Sequence, residues 1–115
     1  MDISFKNTKS AKLFNEGKQL EKEHGKKRAQ KIRLRLAELR AAQCLSDFWP
    51  PKTGPSRCHE LTEGGRQWHL SVDLDYPYRL IFTPAHDPVP QKNDGGLDWS
   101  RVTAIRILQV EDTHG

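Results

Sequence analysis

The apolar positions of this chain change period part-way along it, from helical spacing in the first half to strand-like alternation in the second. Ile3 and Phe5 alternate with polar neighbours as a short first strand, after which Asn7 or Thr8 can cap a helix. From Lys9 to about His24, Leu13, Phe14, Gly17 and Leu20 fall on one side at helical spacing, and Gly25 is a natural stop. A second helix is expected from about Lys26 to Cys44, with Ala29, Ile32, Leu36, Leu39 and Gln43 stacked along one face. So short a join between the two predicts an antiparallel helix hairpin.

Residues Ser46 to Ser56 hold Pro50, Pro51, Gly54 and Pro55, which neither continue a helix nor fill a central strand, so a loop is expected. Phe48 and Trp49 within it read first as pins to the core and second as base-stacking rings. From Arg57 the alternating period takes over, with Gly64-Gly65 as the turn between two strands. Gln67, His69, Ser71 and Asp73 alternate with Trp68, Leu70, Val72 and Leu74, which predicts one wet and one buried face. Tyr78 to Phe82 is the next strand. Pro84 to Trp99 is polar and irregular, expected as a mobile hairpin insertion. Arg101 to Val110 closes the set, apolar on both faces at Ile105, Ile107, Leu108 and Val110 as a central strand would be. The order predicts an α+β layer: a short N-terminal strand and a helix hairpin on one face of a small, mainly antiparallel sheet, the other face left open for binding.

At 115 residues a single domain spanning 1–115 is expected, large enough to bury a core without staples. Hydrophobic residues make up 35% of the chain and charged residues 30%. The mean hydropathy is -0.81, so the core must be lean. Three Trp, four Phe and two Tyr among patterned apolar residues still favour a folded chain over a disordered one. Cys44 and Cys58 lack the spacing of a zinc site or disulfide framework and read as two reduced, partly buried thiols. The start of the chain lacks a signal-peptide core and no apolar stretch is long enough for a bilayer, so a cytoplasmic protein with no membrane partner is expected.

The net charge of +4 and pI near 9.2 direct attention to polyanionic partners. The charge concentrates on the second helix, in Lys26, Lys27, Arg28, Lys31, Arg33, Arg35 and Arg40, against Glu38 in the same stretch. This face reads either as a solvated helix surface or as a surface for RNA or ribosome phosphates. The other candidate chemistry lies at strand ends. His59 opens one strand-like run, and Glu111-Asp112-Thr113-His114 closes another, so the two histidines are expected as halves of one site. His24 sits at a helix end, His69 on the wet side of its strand and His86 in the insertion; none of the three is a candidate. No His-x-His or His-x-x-x-His spacing suggests a metal, and no cofactor is expected.

The basic helix hairpin, Cys58-His59-Glu60-Leu61 followed by Gly64-Gly65-Arg66-Gln67-Trp68, the Tyr78-Arg79-Leu80-Ile81-Phe82 strand and the closing Val110-Glu111-Asp112-Thr113-His114 together resemble the HigB branch of the RelE/ParE toxin superfamily, over nearly the whole chain. The resemblance implies a toxin of a type II toxin–antitoxin module. It would be a ribosome-dependent, metal-independent endoribonuclease that cuts messenger RNA, held inactive by a helix-turn-helix, HigA-like antitoxin. By position, His59 matches the first active-site histidine, Asp112 the acid and His114 the terminal histidine. Thr62 stands where the family often has a lysine and Thr113 where it has an aromatic; Arg66 can replace the lost cation.

Metal-free RNA cleavage by the substrate's own 2′-hydroxyl requires a base, an acid for the leaving 5′-oxygen and cations for the extra negative charge. His59 and His114 serve as base and acid in either order, since an unperturbed imidazole exchanges protons near neutrality. Asp112 would orient an imidazole or the hydroxyl, and Arg66 and Arg79 would neutralise the phosphorane. In the structural reading of the same residues, Arg79 only pairs with an acid such as Asp73. Two rival functions remain: a ParE-like toxin that inhibits DNA gyrase without catalysis, and an RNA-binding domain that has lost its chemistry.

Overall fold

The computed structural model describes residues 1–112. Five strands form one sheet in the order β1-β5-β4-β3-β2, with β1 Asp2–Phe5, β2 His59–Glu60, β3 Leu70–Asp73, β4 Tyr78–Pro84 and β5 Ala104–Asp112. Only β1 runs parallel to its neighbour β5; the β2–β3, β3–β4 and β4–β5 pairs are antiparallel. Three helices, α1 Thr8–Asn15, α2 Gly17–His24 and α3 Lys26–Ala41, share a core with this sheet, which makes the fold α+β.

The single helix expected up to His24 is two. Asn7 caps α1 by accepting from the Ser10 amide, but Glu16 is extended (φ -107°, ψ 109°) and the chain restarts at Gly17. Leu13, Phe14 and Leu20 keep helical spacing across the break, so periodicity alone cannot reveal it. Gly25, at φ 82°, then joins α2 to α3 as the hairpin joint, a conformation that glycine adopts without steric cost. Gly17 and Glu21 both lie against Arg33, which shows α2 running back along α3. Helix α3 ends at Ala41 rather than Cys44, so Gln43 is exposed instead of packed.

Leu20, Ala29, Ile32, Leu36 and Leu39 from the helices meet Leu70, Val72, Leu80, Phe82, Ile105 and Ile107 from the sheet. Each fully buried large side chain here contributes on the order of 1.5–3 kcal/mol. The apolar run of β5 has a cause other than two buried faces. Ile81 pairs with Gln109 while Phe82 pairs with Ile107, so Leu108 is an extra residue in a β-bulge. The bulge re-phases the strand. Ile105 and Ile107 before it and Val110 after it all belong to the core side, which leaves Gln109 and Glu111 on the opposite face.

That opposite face is not open. His59, Ser71, Ile81 and Gln109 form one row across four strands, and Ser71 and Ile81 are fully buried. The connection from β2 to β3 folds over it: Arg66 in this turn makes an ion pair with Glu111 of β5, although β4 and β3 lie between β5 and β2. Strand β3 is accordingly shorter than expected, with Trp68 in a turn at φ 67°. The stretch from Pro84 to Trp99 is also more than a loose insertion. It buries Leu97 and Trp99, pairs Gln91 with Leu97 and is tied down by His86, whose Nε2 accepts from the Thr103 and Ala104 amides.

Candidate active site

A cleft of about 470 Å³ opens where β4 begins and β5 ends, on the face away from the helices. It is lined by Lys52, Arg57, His59, Arg66, Arg79, Glu111 and Asp112, with residues 60–63 along one wall. The structure therefore brings together four of the five catalytic candidates: His59, Arg66, Arg79 and Asp112. His114 lies outside the described residues.

His59 is the first residue of β2, opposite Ser71, and is only 8% exposed. Its Nδ1 lies 2.7 Å from the Arg57 carbonyl oxygen. A carbonyl can only accept, so Nδ1 carries the hydrogen and the neutral ring keeps Nε2 unprotonated. The local fold thus fixes the tautomer in which Nε2 can take a proton. Ser71 Oγ, buried beside His59 in the same cross-strand row, has no hydrogen-bond partner among the described residues.

The cations come from three separate segments. Arg79 on β4 and Arg57 before β2 both reach the same carboxylate: Arg79 Nε lies 3.3 Å from Asp73 Oδ1 and Arg57 Nε 3.2 Å from Asp73 Oδ2. The pairing of Arg79 with Asp73 anticipated from sequence is present, and it coexists with a place in the cleft. The Oδ1 contact is an ion pair without hydrogen-bond alignment. Arg66 binds Glu111, which also accepts from Gln109 Nε2 at 2.7 Å. Burial acts to raise the Glu111 carboxyl, but hydrogen bonds from Arg66 and Gln109 and the nearby positive charges outweigh it and hold the group below the ordinary carboxylate range. Lys52 makes no ion pair among the described residues.

Comparison with known protein families, curated proteins and solved structures finds no match to this chain.

Two acids of β5, Glu111 and Asp112, line the cleft. Glu111 is the register partner of Arg79 across β4–β5, whereas Asp112 pairs with Tyr78, in the alternation that carries Val110 and Leu80 on the core side. Asp112 reaches the cleft rim, and Glu111 stands among the cations. Sequence reasoning also left Lys52, Arg57 and Glu111 without a role. Glu111 shares the face of Gln109 by strand alternation once the β5 bulge is known, whereas Arg57 stands in a turn at φ 46° that no alternation predicts.

The basic helix is partly consumed by the fold. Arg35 is buried: it donates to the Asp73 carbonyl at 2.6 Å, to the Pro55 carbonyl at 3.1 Å and to Glu38 at 2.9 Å. Its guanidinium closes the gap between α3, β3 and the 50–56 loop, so it cannot meet RNA. Arg28 pairs with Asp75 and lies 3.4 Å from the Tyr78 ring centroid, and Arg33 pairs with Glu21. Lys26, Lys27 and Arg40 are exposed, and Lys31 is half-buried. Among the described residues no group of three His, Cys, Asp or Glu could hold a metal ion, and no helix is long and apolar enough to cross a membrane.

Proposed function

We propose that this protein is a HigB-like toxin: a ribosome-dependent, metal-independent endoribonuclease that cuts messenger RNA and is neutralised by a helix-turn-helix antitoxin. The observation that carries the reading is the gathering of His59, with its tautomer set by the Arg57 carbonyl, and Lys52, Arg57, Arg66 and Arg79 in one cleft. A proton acceptor beside several guanidinium groups suits attack of a 2′-hydroxyl on its neighbouring phosphate. In this reading His59 exchanges the proton with one reacting oxygen and His114, beyond the described residues, with the other. Arg79 and Arg66 neutralise the phosphorane. Asp73 and Glu111 hold these arginines in place and yield part of their hold when phosphate enters.

Lys26, Lys27, Lys31 and Arg40 on α3 supply a surface for ribosomal RNA or for an acidic segment of the antitoxin. The test is a cell-free translation reaction containing the purified protein, with and without ribosomes, in which messenger RNA 5′ ends are mapped. Cuts that require ribosomes support the reading. Translation that continues on intact messenger RNA removes it, and a gyrase supercoiling assay then examines the ParE-like alternative.

A further inference from the structure

We infer that Trp49 is a stacking platform for a base of single-stranded RNA whose phosphates occupy the adjoining cleft, an inference that rests on the RNA reading of that cleft. Trp49 follows a 3-10 turn, Leu45–Phe48, and is 57% exposed, whereas its neighbour Trp99 is 4% exposed. The two rings meet at 90° with centroids 5.1 Å apart. An edge-to-face contact covers at most one face of Trp49, so at least one full face stays clear of Trp99. A tryptophan that served only to pin its loop would be expected to bury itself, as Trp99 does.

The position of the exposed ring is fixed relative to the cleft by two routes. Trp99 Nε1 donates to Glu60 Oε2 at 3.1 Å, and Glu60 lines the cleft wall. Along the chain, Lys52 lines the cleft from the same loop. It stands three residues beyond Trp49, and three extended residues reach at most roughly 11 Å. The loop is itself anchored, by the Lys52 amide on the Cys58 carbonyl and the Thr53 hydroxyl on the Pro50 carbonyl. An exposed aromatic three residues from a lysine that lines a cleft with several arginines is an arrangement that can receive an unpaired base on the ring and its phosphate on the cations. Duplex RNA would keep its bases stacked within the helix, so the ligand is single-stranded.

The experiment is fluorescence anisotropy with a labelled single-stranded RNA and with its abasic counterpart, on the full chain and on Trp49→Ala, Trp49→Phe, Trp49→Leu and Arg79→Ala. Stacking predicts that Trp49→Ala weakens binding of the base-bearing RNA roughly tenfold, leaves abasic RNA unaffected and is largely rescued by Trp49→Phe. Trp49→Leu, which keeps an apolar contact to Trp99, should bind like Trp49→Ala if the ring itself is needed. Equal affinity of Trp49→Ala and parent for base-bearing RNA, with Arg79→Ala still weakened, overturns the platform and spares the cleft. Absence of binding to either RNA by the parent chain overturns both.

Discussion

Arg35, on α3, donates through Nε to the main-chain carbonyl of Asp73, 38 residues later, whose carboxylate binds Arg57 and Arg79. A buried guanidinium thus holds the end of β3, whose carboxylate in turn holds two of the cations that line the cleft. Its neighbours are two carbonyls and Glu38, which accept from three of its guanidinium nitrogens.

Arg35→Met should therefore destabilise the fold by about 3 kcal/mol, because it takes the guanidinium donors from the Asp73 and Pro55 carbonyls and from Glu38. For a chain of this size that corresponds to a fall in unfolding midpoint of roughly 10 °C, readable by circular dichroism. Lys31→Met, on the same helix but half-buried and outside this network, should move the midpoint little. Equal effects of the two would contradict the role given to Arg35.

The Arg66–Glu111 pair should give a small, pH-dependent contribution. The Glu111 carboxyl is held below its unfolded value, so the stabilisation is fully present above about pH 4.5 and is lost as pH falls through the lower folded value. Both side chains are partly exposed, at 32% for Arg66 and 22% for Glu111. Solvent screening therefore limits the contribution to under about 1 kcal/mol. Denaturant titrations of the parent and Arg66→Ala should differ at pH 7 and converge in acid. A gap that widens toward acid would have the wrong sign.

The two thiols should separate cleanly by reactivity. Burial, with the Glu60 charge adding to it, pushes the Cys58 thiol up to about 12, so almost no thiolate exists at neutral pH. Cys44 is half-buried near Ser46 and Asp47. A disulfide-exchange reagent should titrate one thiol in the native protein and two in denaturant, and Cys44→Ser should abolish the native reaction. Rapid native labelling of Cys58 would show that the cleft wall at β2 opens.

Much of this architecture is legible in the sequence where local rules and tertiary packing agree. The alternation at Ile3 and Phe5, the cap at Asn7, the stop at Gly25 and the turn at Gly64-Gly65, both at positive φ, all follow from backbone chemistry. The break at Glu16 does not, because Leu13, Phe14 and Leu20 preserve their period across it. Nor does the burial of Arg35, which sits in a basic run and becomes internal only when Asp73 and Pro55 arrive from distant segments. The bulge at Leu108 hid which face each β5 residue serves, and so hid that Glu111 stands opposite Arg79. Ser71 looked wet for a related reason: the turn that covers it is placed by a contact between Arg66 and Glu111, 45 residues apart.

If the His59 cleft cuts RNA through the substrate's own 2′-hydroxyl, as proposed, the ends of the fragments report it directly. Ribosome-programmed messenger RNA treated with the parent protein should yield downstream fragments with a 5′-hydroxyl and upstream fragments with a 2′,3′-cyclic phosphate. His59→Ala should slow their appearance by about 10²- to 10⁴-fold while remaining folded. Fragments bearing 5′-phosphates, or cleavage by His59→Ala at the parent rate, would contradict the account.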